Sequence, residues 1–418
     1  MKSTATILGM FAFGYLLAVI FRAVNALIAP DLVRDVGLDA TMLGLLTSSL
    51  LIAHGLSQIP VGIALDRFGP RRVQAVMFCC AAVGALAFSF GEDALTLTLA
   101  RALIGVGFAG SLMSGFKAVT MSVRGPRQAL GNAVVMSGGQ VGYVVATWPT
   151  EVMVGLVGWR PVFAGLALVT LGAAALYLVL IPDWAAPGPK ERPRELLRGL
   201  GRVFADPVVW RIAPLVWLTA GFNIAMITLW AGPWFRDVAG FERGAVATGL
   251  LINAIAAAGG VFGCGWIADF MGRRGTGLLS VSQYLMFVFL AAQVPIILAL
   301  TAITPVAWFV FAATGQAGIL TYPWLAAYYG KGLSARAQTG VNTGIFVVAF
   351  AVQYAVGGVI DLFDPLPGGG YEPLAYQLSF ASMFVAELAA LAWFVAGKRT
   401  LEARFAERQR AAPRDAAQ

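Results

Sequence analysis

Three basic side chains lie within stretches of the sequence that are otherwise dominated by apolar residues. They are Arg22, Arg101 and Lys117. A charge in such surroundings is costly, so it normally faces a partner or an aqueous cavity and indicates a functional site. Arginine stays charged and offers a planar fork of donors that fits a carboxylate or a phosphate. Arg22 is therefore predicted to face a ligand cavity, with snorkelling or pairing to a carboxylate such as Asp361 as alternatives.

Acidic side chains in similar stretches are candidates for carrying protons. Glu387 lies near the middle of an apolar run, whereas Glu151 and Asp361 lie near the ends of theirs, within reach of water. Burial favours the protonated form of a carboxyl group, which a proton carrier must be able to adopt. A structural hydrogen bond is the alternative for Glu387.

For Lys117, a second anion contact, a gating role and snorkelling all stay open.

A short motif occurs twice in the chain, 203 positions apart. The two copies contain Gly62, Asp66, Arg67, Gly69 and Arg71, and then Gly265, Asp269, Gly272, Arg273 and Arg274. Upstream residues 29–36 are echoed by residues 232–238 at nearly the same offset. The chain is therefore interpreted as a duplication, and internal symmetry of this kind is typical of transporters that alternate access.

The first copy, G-x-x-x-D-R-x-G-x-R-R, resembles the signature loop of the major facilitator superfamily. The resemblance implies twelve transmembrane helices in two six-helix bundles around a central cavity. It also implies that Asp66 pairs with basic groups at helix ends and that Gly62 lets the second helix approach the eleventh. Gating roles follow for seven residues, Gly62, Asp66, Arg67, Gly69, Arg71, Asp269 and Arg273.

The same resemblance bears on the buried charged residues. The segment beginning at Arg101 resembles the family's fourth-helix arginine motif, which is associated with proton coupling and helix packing. Residues 21–30 resemble the first helix of anion-transporting branches, where an arginine approaches the substrate's carboxylate or phosphate. The family places its twelfth helix outside the cavity, which favours a structural hydrogen bond for Glu387. Proton coupling is assigned as a prediction to Arg101, Glu151, Asp361 and Glu387.

Composition excludes an ordinary soluble domain. Hydrophobic residues make up 59% of the chain and charged residues 12%, against about a quarter charged in soluble domains. Roughly 20 apolar residues span a bilayer, and twelve windows qualify. They are residues 6–30, 42–65, 73–90, 96–120, 129–153, 162–181, 208–235, 246–268, 277–300, 305–328, 339–361 and 375–396. The predicted fold class is an all-α integral membrane protein.

The basic residues predict the orientation. With both termini in the cytoplasm, most of the 29 Lys and Arg residues fall on the cytoplasmic side. The opposite side keeps only Arg34, Arg160, Arg236 and Arg243. The positive-inside rule favours this topology, and it accounts for the net charge of +8 without a nucleic-acid partner. The expected location is a bacterial inner membrane.

Hydrophilic segments divide the chain into predicted units. The stretch rich in Pro and charge between the sixth and seventh windows is interpreted as a cytoplasmic linker, in which residues 195–204 form a surface helix. The units are an N-terminal bundle of residues 1–181, the linker of residues 182–207, a C-terminal bundle of residues 208–397, and a cytoplasmic tail of residues 398–418.

Amide and aromatic side chains on several predicted helices complete the candidate cavity. This mixture suits an organic ligand better than a bare inorganic ion. With Arg22 and Lys117, the predicted substrate contacts are Asn25, Gln140, Tyr143, Phe222, Asn223, Trp230, Gln316 and Tyr322, and Asn342 belongs to the same population.

These patterns predict a monomeric carrier that takes up a small organic anion together with protons. The chain has no nucleotide-binding motif, so uphill transport must draw on an ion gradient. Three cysteines and one histidine without ligand spacing make metal transport a weak alternative, and no cofactor or catalytic activity is expected. Residues 131–142 lack the Gly-Pro element of proton-driven drug antiporters. Proton-coupled efflux and a transporter-like sensor remain as alternative functions.

Overall fold

The computed structural model describes residues 3–123, 128–184, 193–366 and 370–411, and every regular element in these ranges is helical. The first half contains α1 (Thr4–Ala23), α2 (Asn25–Val36), α3 (Ala40–Phe90), α4 (Ala94–Phe108), α5 (Ser111–Ser122), α6 (Gln128–Val145), α7 (Trp148–Val157) and α8 (Trp159–Leu180). After α9 (Pro193–Ala205), the second half contains α10 (Pro207–Ala225), a π-helical turn (Met226–Trp230), α11 (Ala231–Asp237), α12 (Arg243–Gly272), α13 (Leu278–Ile297), α14 (Thr304–Thr314), a 3-10 turn (Ala317–Leu320), α15 (Thr321–Ile360) and α16 (Pro373–Ala411).

The chain crosses the membrane twelve times, as predicted. In its described part, nine helical stretches are long and apolar enough to span a bilayer. The longest, α3, contains two spans, because the non-helical Gly69 separates two helices within it. Two more spans are assembled from shorter helices, α6 with α7 and α14 with the part of α15 before the kink at Gly330. The protein is therefore a multi-pass, all-helical membrane protein.

Several spans are interrupted part-way through the bilayer. α1 gives way to α2 at Val24, α4 to α5 at residues 109–110, and α6 to α7 at residues 146–147. In the second half, the π-helical turn interrupts the seventh span and the 3-10 turn interrupts the tenth. Irregular backbone at membrane depth is tolerated where protein or a water-filled cavity satisfies it. These interruptions therefore indicate where a cavity should lie.

Glycines allow equivalent helix pairs in the two halves to approach closely. A Cβ at Gly105 of α4 would lie 2.2 Å from the carbonyl oxygen of Leu50 on α3. In the second half, a Cβ at Gly260 of α12 would lie 1.9 Å from the carbonyl oxygen of Ala313 on α14. Small residues permit such contacts between membrane helices. The duplication inferred from the sequence is thus repeated in the packing.

The linker helix and the last helix extend beyond the apolar spans. α9 covers the segment predicted as a surface helix, and its Gly199 lies against the side chain of Arg336 on α15. α16 runs 39 residues to Ala411, so it continues past the predicted twelfth span into the tail. Part of the linker, residues 185–192, and the end of the tail lie outside the described residues.

Candidate substrate-binding site

A cavity of about 290 Å³ lies between the two bundles, at the level of the interrupted helices. This volume is close to the lower limit for small-molecule sites. Its polar wall is formed by Tyr15, Arg22, His54, Gln58, Gln140, Tyr143, Asn223, Gln316 and Asn342. Its apolar wall includes Phe108, Leu112, Met113, Met136, Ile224, Ile227, Ile319 and Phe346. Among the described residues that line the cavity, none is an aspartate or a glutamate.

Arg22 is the cation of this wall. It is 8% exposed, and its guanidinium carbon lies 5.4 Å from the centre of the Phe346 ring. Its Nε has no hydrogen-bond partner, and no ion pair joins it to a described carboxylate. Tyr15, two turns earlier on α1, lies beside the guanidinium. A buried cation without a counter-ion has a strong reason to bind an anion that enters the cavity.

The pairing of Arg22 with Asp361 that the sequence left open is not observed. The Asp361 carboxylate instead accepts hydrogen bonds from the backbone N–H groups of Ala40, at 2.9 Å, and Thr41, at 2.6 Å. It thereby caps the first turn of α3, where helix N-termini favour negative charge.

His54 and Gln58 lie one helical turn apart on α3, so both face the same wall. The imidazole lies against Phe346, with 4.7 Å between ring centres. Gln58 Oε1 accepts a hydrogen bond of 3.0 Å from Asn342 Nδ2. Since α3 and α15 belong to different bundles, this bond joins the two halves across the cavity.

The second half contributes a pair of amides. Asn223 Oδ1 accepts a hydrogen bond of 3.3 Å from Gln316 Nε2. Asn223 lies in α10, three residues before the π-helical turn, and Gln316 immediately precedes the 3-10 turn. The backbone at Gln316 leaves the helical conformation, so a regular helical wheel does not predict that its side chain reaches Asn223.

Five of the predicted substrate contacts line the cavity, and five do not. Arg22, Gln140, Tyr143, Asn223 and Gln316 are in the wall. The other five, Asn25, Lys117, Phe222, Trp230 and Tyr322, lie outside it. Asn25, for example, donates a buried hydrogen bond of 2.9 Å to Thr47 Oγ1, and Phe222 packs edge-on against Phe311 and Phe380. Any part these five play in binding stays a prediction.

The sequence reasoning missed three polar wall residues as substrate contacts, Tyr15, His54 and Gln58. The signal was present, because residues four apart on a helix share a face and Tyr15 is seven residues before Arg22. It was ambiguous, because every helix in this chain presents several such faces.

The signature loop is held by partners near its own helices. Asp66 Oδ1 accepts a hydrogen bond of 2.5 Å from Lys117 Nζ, which also donates to the carbonyl oxygen of Leu65 at 2.9 Å. Lys117 thus binds the loop and not the cavity. Gly69 has a φ of 77°, a conformation that glycine adopts without strain.

The arginines of the two motif copies also have local partners. Arg71 donates to the carbonyl oxygen of Leu178, and the Arg67 guanidinium lies 5.1 Å from the centre of the Phe68 ring. In the second copy, Arg273 Nη2 lies 2.6 Å from Asp269 Oδ2 on the same helix. Their gating roles stay predictions.

The expected close contact at Gly62 is not seen, because a Cβ there would meet nothing within 4 Å. The second and eleventh spans instead meet through Gly44, whose Cβ would lie 2.7 Å from the carbonyl oxygen of Gln353, and through Gly55, against Phe346. The two spans therefore touch over one part of their length and separate before Gly62.

None of the predicted proton-coupling residues lines the cavity. Arg101 is fully buried and donates to the carbonyl oxygen of Phe21 at 2.8 Å. Glu387 accepts a hydrogen bond of 2.6 Å from Gln293 Nε2, which is the structural bond offered as its alternative. Glu151 and Asp361 bind groups of the opposite bundle, and the role of all four residues in coupling stays a prediction.

One end of the molecule is closed by contacts between the bundles. This distal end is the one that holds the α2–α3 connection, residues 37–39. There Arg243 of α12 donates to Asp31 at 2.9 and 3.0 Å and to Glu151 at 2.5 Å. Asp361 joins the same end through the first turn of α3. At the other end, the Lys117–Asp66 and Arg273–Asp269 pairs each stay within one bundle.

Two six-span halves with a cavity between them and one closed end are the architecture of a membrane transporter, and the family comparison agrees. Residues 11–358 match the model of the Major Facilitator Superfamily, and the chain belongs to this family. It is therefore a transporter of small molecules and not an enzyme.

Two curated relatives and one solved structure are informative. The probable sulfoacetate transporter SauU of Cupriavidus necator is 25% identical over 316 residues, which cover 72% of this chain and 73% of that protein. A chloramphenicol resistance protein of Streptomyces lividans is 27% identical over 379 residues, covering 84% and 91%. A bacterial homologue of the human lysosomal transporter Spinster, in its inward-facing unoccupied conformation, has a TM-score of 0.77 at 16% identity, covering 96% of this chain and 99% of that one.

Proposed function

We propose that this protein takes up a small organic anion across a bacterial inner membrane, together with protons, as a monomer with both termini in the cytoplasm. The observation that carries the proposal is Arg22, a buried guanidinium in the cavity wall without a carboxylate partner. An anion that reaches the cavity supplies the missing counter-ion, and amides on the opposite wall hold the rest of the molecule.

The volume and chemistry of the cavity support an organic substrate. A cavity of about 290 Å³ whose wall combines aromatic rings, such as Phe346 and Phe108, with aliphatic side chains fits a small molecule with an apolar part. The relative SauU, named as a probable transporter of the organic anion sulfoacetate, supports the same class of substrate.

The distribution of basic residues and the closed distal end support a cavity that is open to the cytoplasm. Under the positive-inside topology, the closed end faces the periplasm and the cavity is reached from the cytoplasm. Uptake then requires the Arg243 contacts with Asp31 and Glu151 to open, an anion to enter, and the contacts to form again behind it.

Binding and transport by the purified protein test the proposal. Benzoate, gluconate and sulfoacetate are added as anions and chloramphenicol as a neutral probe, with tryptophan fluorescence or thermal stabilisation reporting binding. Liposomes with an inward proton gradient and no voltage should then accumulate at least one bound anion, and a protonophore should abolish the accumulation. Failure of every anion to bind, with accumulation of the neutral probe, would contradict the proposed function.

Efflux is the second candidate function. The apolar side of the cavity, including Leu112, Met113 and Met136, suits a neutral amphipathic compound, and the Streptomyces lividans relative is named for chloramphenicol resistance. Everted vesicles distinguish the two directions. Chloramphenicol uptake into acidified everted vesicles would support efflux, whereas anion uptake into right-side-out vesicles supports import.

A further inference from the structure

His54 is the one histidine of the chain, and it lies in the wall of the cavity beside Arg22. Both side chains lie against the same aromatic ring, His54 at 4.7 Å and Arg22 at 5.4 Å from the centre of Phe346. Arg22 is also the charged side chain that acts on the imidazole electrostatically. An anion bound at Arg22 would therefore interact electrostatically with the imidazole.

The groups around His54 leave its Nδ1 without a partner. α1 presents Tyr15 and Arg22, α4 presents the backbone at Gly105, and α15 presents Phe346. The remaining titratable groups of the wall are Tyr143 and Cys264. Tyrosine, cysteine and arginine ordinarily titrate well above neutral pH, whereas histidine titrates near it.

The carboxylates that could compete for this role are engaged elsewhere. Glu151 receives a hydrogen bond from Arg243, Asp361 caps α3, and Glu387 accepts from Gln293 on the far side of the C-terminal bundle. Within the described cavity wall, the imidazole is thus the one group suited to exchanging a proton at physiological pH.

We propose that His54 carries the proton that accompanies the anion through the transport cycle. This inference rests on the proposed function and specifies its coupling residue. In the tautomer with the proton on Nε2, the Nδ1 lone pair accepts a proton from a hydronium ion that enters with the anion, so an N–H bond forms and a water molecule is left. That bond breaks on the opposite side of the membrane, where water takes the proton and the anion leaves.

Electrostatics links the two binding events. A positive charge on His54 is repelled by the guanidinium of Arg22, so the empty cavity disfavours the imidazolium. An anion held by Arg22 removes that repulsion and attracts the second charge. By thermodynamic reciprocity, protonation of His54 strengthens anion binding by the same factor. With a monovalent anion, the loaded carrier then moves one anion and one proton as a neutral unit.

A single histidine allows a direct test. Protein labelled with ¹⁵N in histidine alone reports the protonation state of His54 by NMR. The probe is whichever of benzoate, gluconate and sulfoacetate binds in the test of function. We expect the protonated fraction at pH 7 to rise at least threefold when that anion is added to wild type, and to stay unchanged when it is added to Arg22→Ala.

Transport by two variants completes the test. His54→Gln should keep anion-for-anion exchange, which needs no net proton movement. The amount of anion that this variant accumulates under a proton gradient should fall at least tenfold. Glu92→Gln, which removes an exposed titratable group outside the cavity, should keep both activities.

The outcomes separate this inference from the proposed function. If no anion binds, the proposed function and this inference both fail. If an anion binds and His54 keeps the same protonated fraction, or if His54→Gln still moves one proton with each anion, the inference alone fails. The NMR measurement decides the question even if His54→Gln does not fold.

Discussion

At the scale of single residues, Arg22 is held in the cavity wall by aromatic neighbours and not by a carboxylate. Phe346 lies over one face of the guanidinium and Tyr15 lies beside it. Arg101, which is fully buried, instead donates to a backbone carbonyl, and its guanidinium carbon lies 5.6 Å from the centre of the Phe88 ring. Two buried arginines of the same half thus differ in the one property that matters for binding, which is contact with the cavity.

Replacing Arg22 should remove anion binding. Breaking a buried charge pair costs on the order of 3–5 kcal/mol, so Arg22→Ala should weaken binding of the selected anion by at least 100-fold. Arg22→Lys should recover only part of the affinity, because lysine lacks the bidentate fork. Titration calorimetry gives the dissociation constants. The control is Arg274→Ala, an exposed arginine outside the cavity, which should bind as wild type does. Affinity retained by Arg22→Ala would rule out Arg22 as the anion contact.

At the scale of elements, helix contacts through glycine and helix interruptions have different consequences. Where a glycine allows two helices to touch, the contact is rigid, as between α6 and α1, where a Cβ at Gly138 would lie 2.0 Å from the carbonyl oxygen of Ala12. Where the backbone is interrupted, as at the π-helical turn and the 3-10 turn, side chains such as Ile227 and Gln316 reach the cavity.

Adding one methyl group at Gly138 should loosen the first bundle. Backbone atoms of α1 cannot move aside without shifting that helix, so Gly138→Ala should cost about 1–3 kcal/mol of stability. Thermal unfolding in detergent measures the loss. Gly155→Ala is the matched control, since a Cβ there would meet nothing within 4 Å. Equal unfolding temperatures for the two variants would contradict the packing described for α6.

The signature loop should act on the transport cycle more than on folding. Asp66 is 76% exposed at its side chain, and an exposed ion pair contributes only about 0–1 kcal/mol to stability. Asp66→Asn should therefore insert and unfold like wild type, yet transport at least tenfold more slowly, because Lys117 loses its charged partner. Initial uptake rates at matched expression are the measurement. Normal turnover would exclude a gating role for Asp66.

At the scale of the whole molecule, closure of the distal end depends on charges placed across the interface between bundles. Asp31 is buried at this end and receives Arg243 from α12, while Arg34 reaches the same carboxylate from its own helix. The two arginines share a partner, but only Arg243 joins the two bundles.

Removing Arg243 should shift the protein toward the conformation that is open at the distal end. Loss of hydrogen bonds to buried charged groups costs about 1–3 kcal/mol, which corresponds to a shift in population of roughly 5- to 150-fold. Spin labels at Leu156 and Leu362, two exposed distal positions in different bundles, report the opening as longer distances in pulsed electron resonance. Arg34→Ala is the control and should keep the wild-type distances. Unchanged distances in Arg243→Ala would contradict this description of the closed end.

The sequence alone was sufficient for the family, the twelve spans, the repeat and the choice of Arg22 as a wall residue. Hydropathy and motif spacing are properties of neighbouring residues, and a charge in an apolar segment is visible without coordinates. The span limits were less accurate where helices run on, as α16 does to Ala411, since helix formation does not stop at the membrane surface.

Only the tertiary structure decided which side chains share the cavity. Whether Tyr15 of α1 or Asn25 of α2 faces the cavity depends on how these two helices are rotated against their neighbours, and a single sequence leaves that rotation undetermined. The pairings of Asp66 with Lys117, of Asp31 with Arg243 and of His54 with Phe346 join residues 51, 212 and 292 positions apart. Such contacts depend on how complete helices pack, which is why the coupling residue proposed here emerged from the fold and not from a motif.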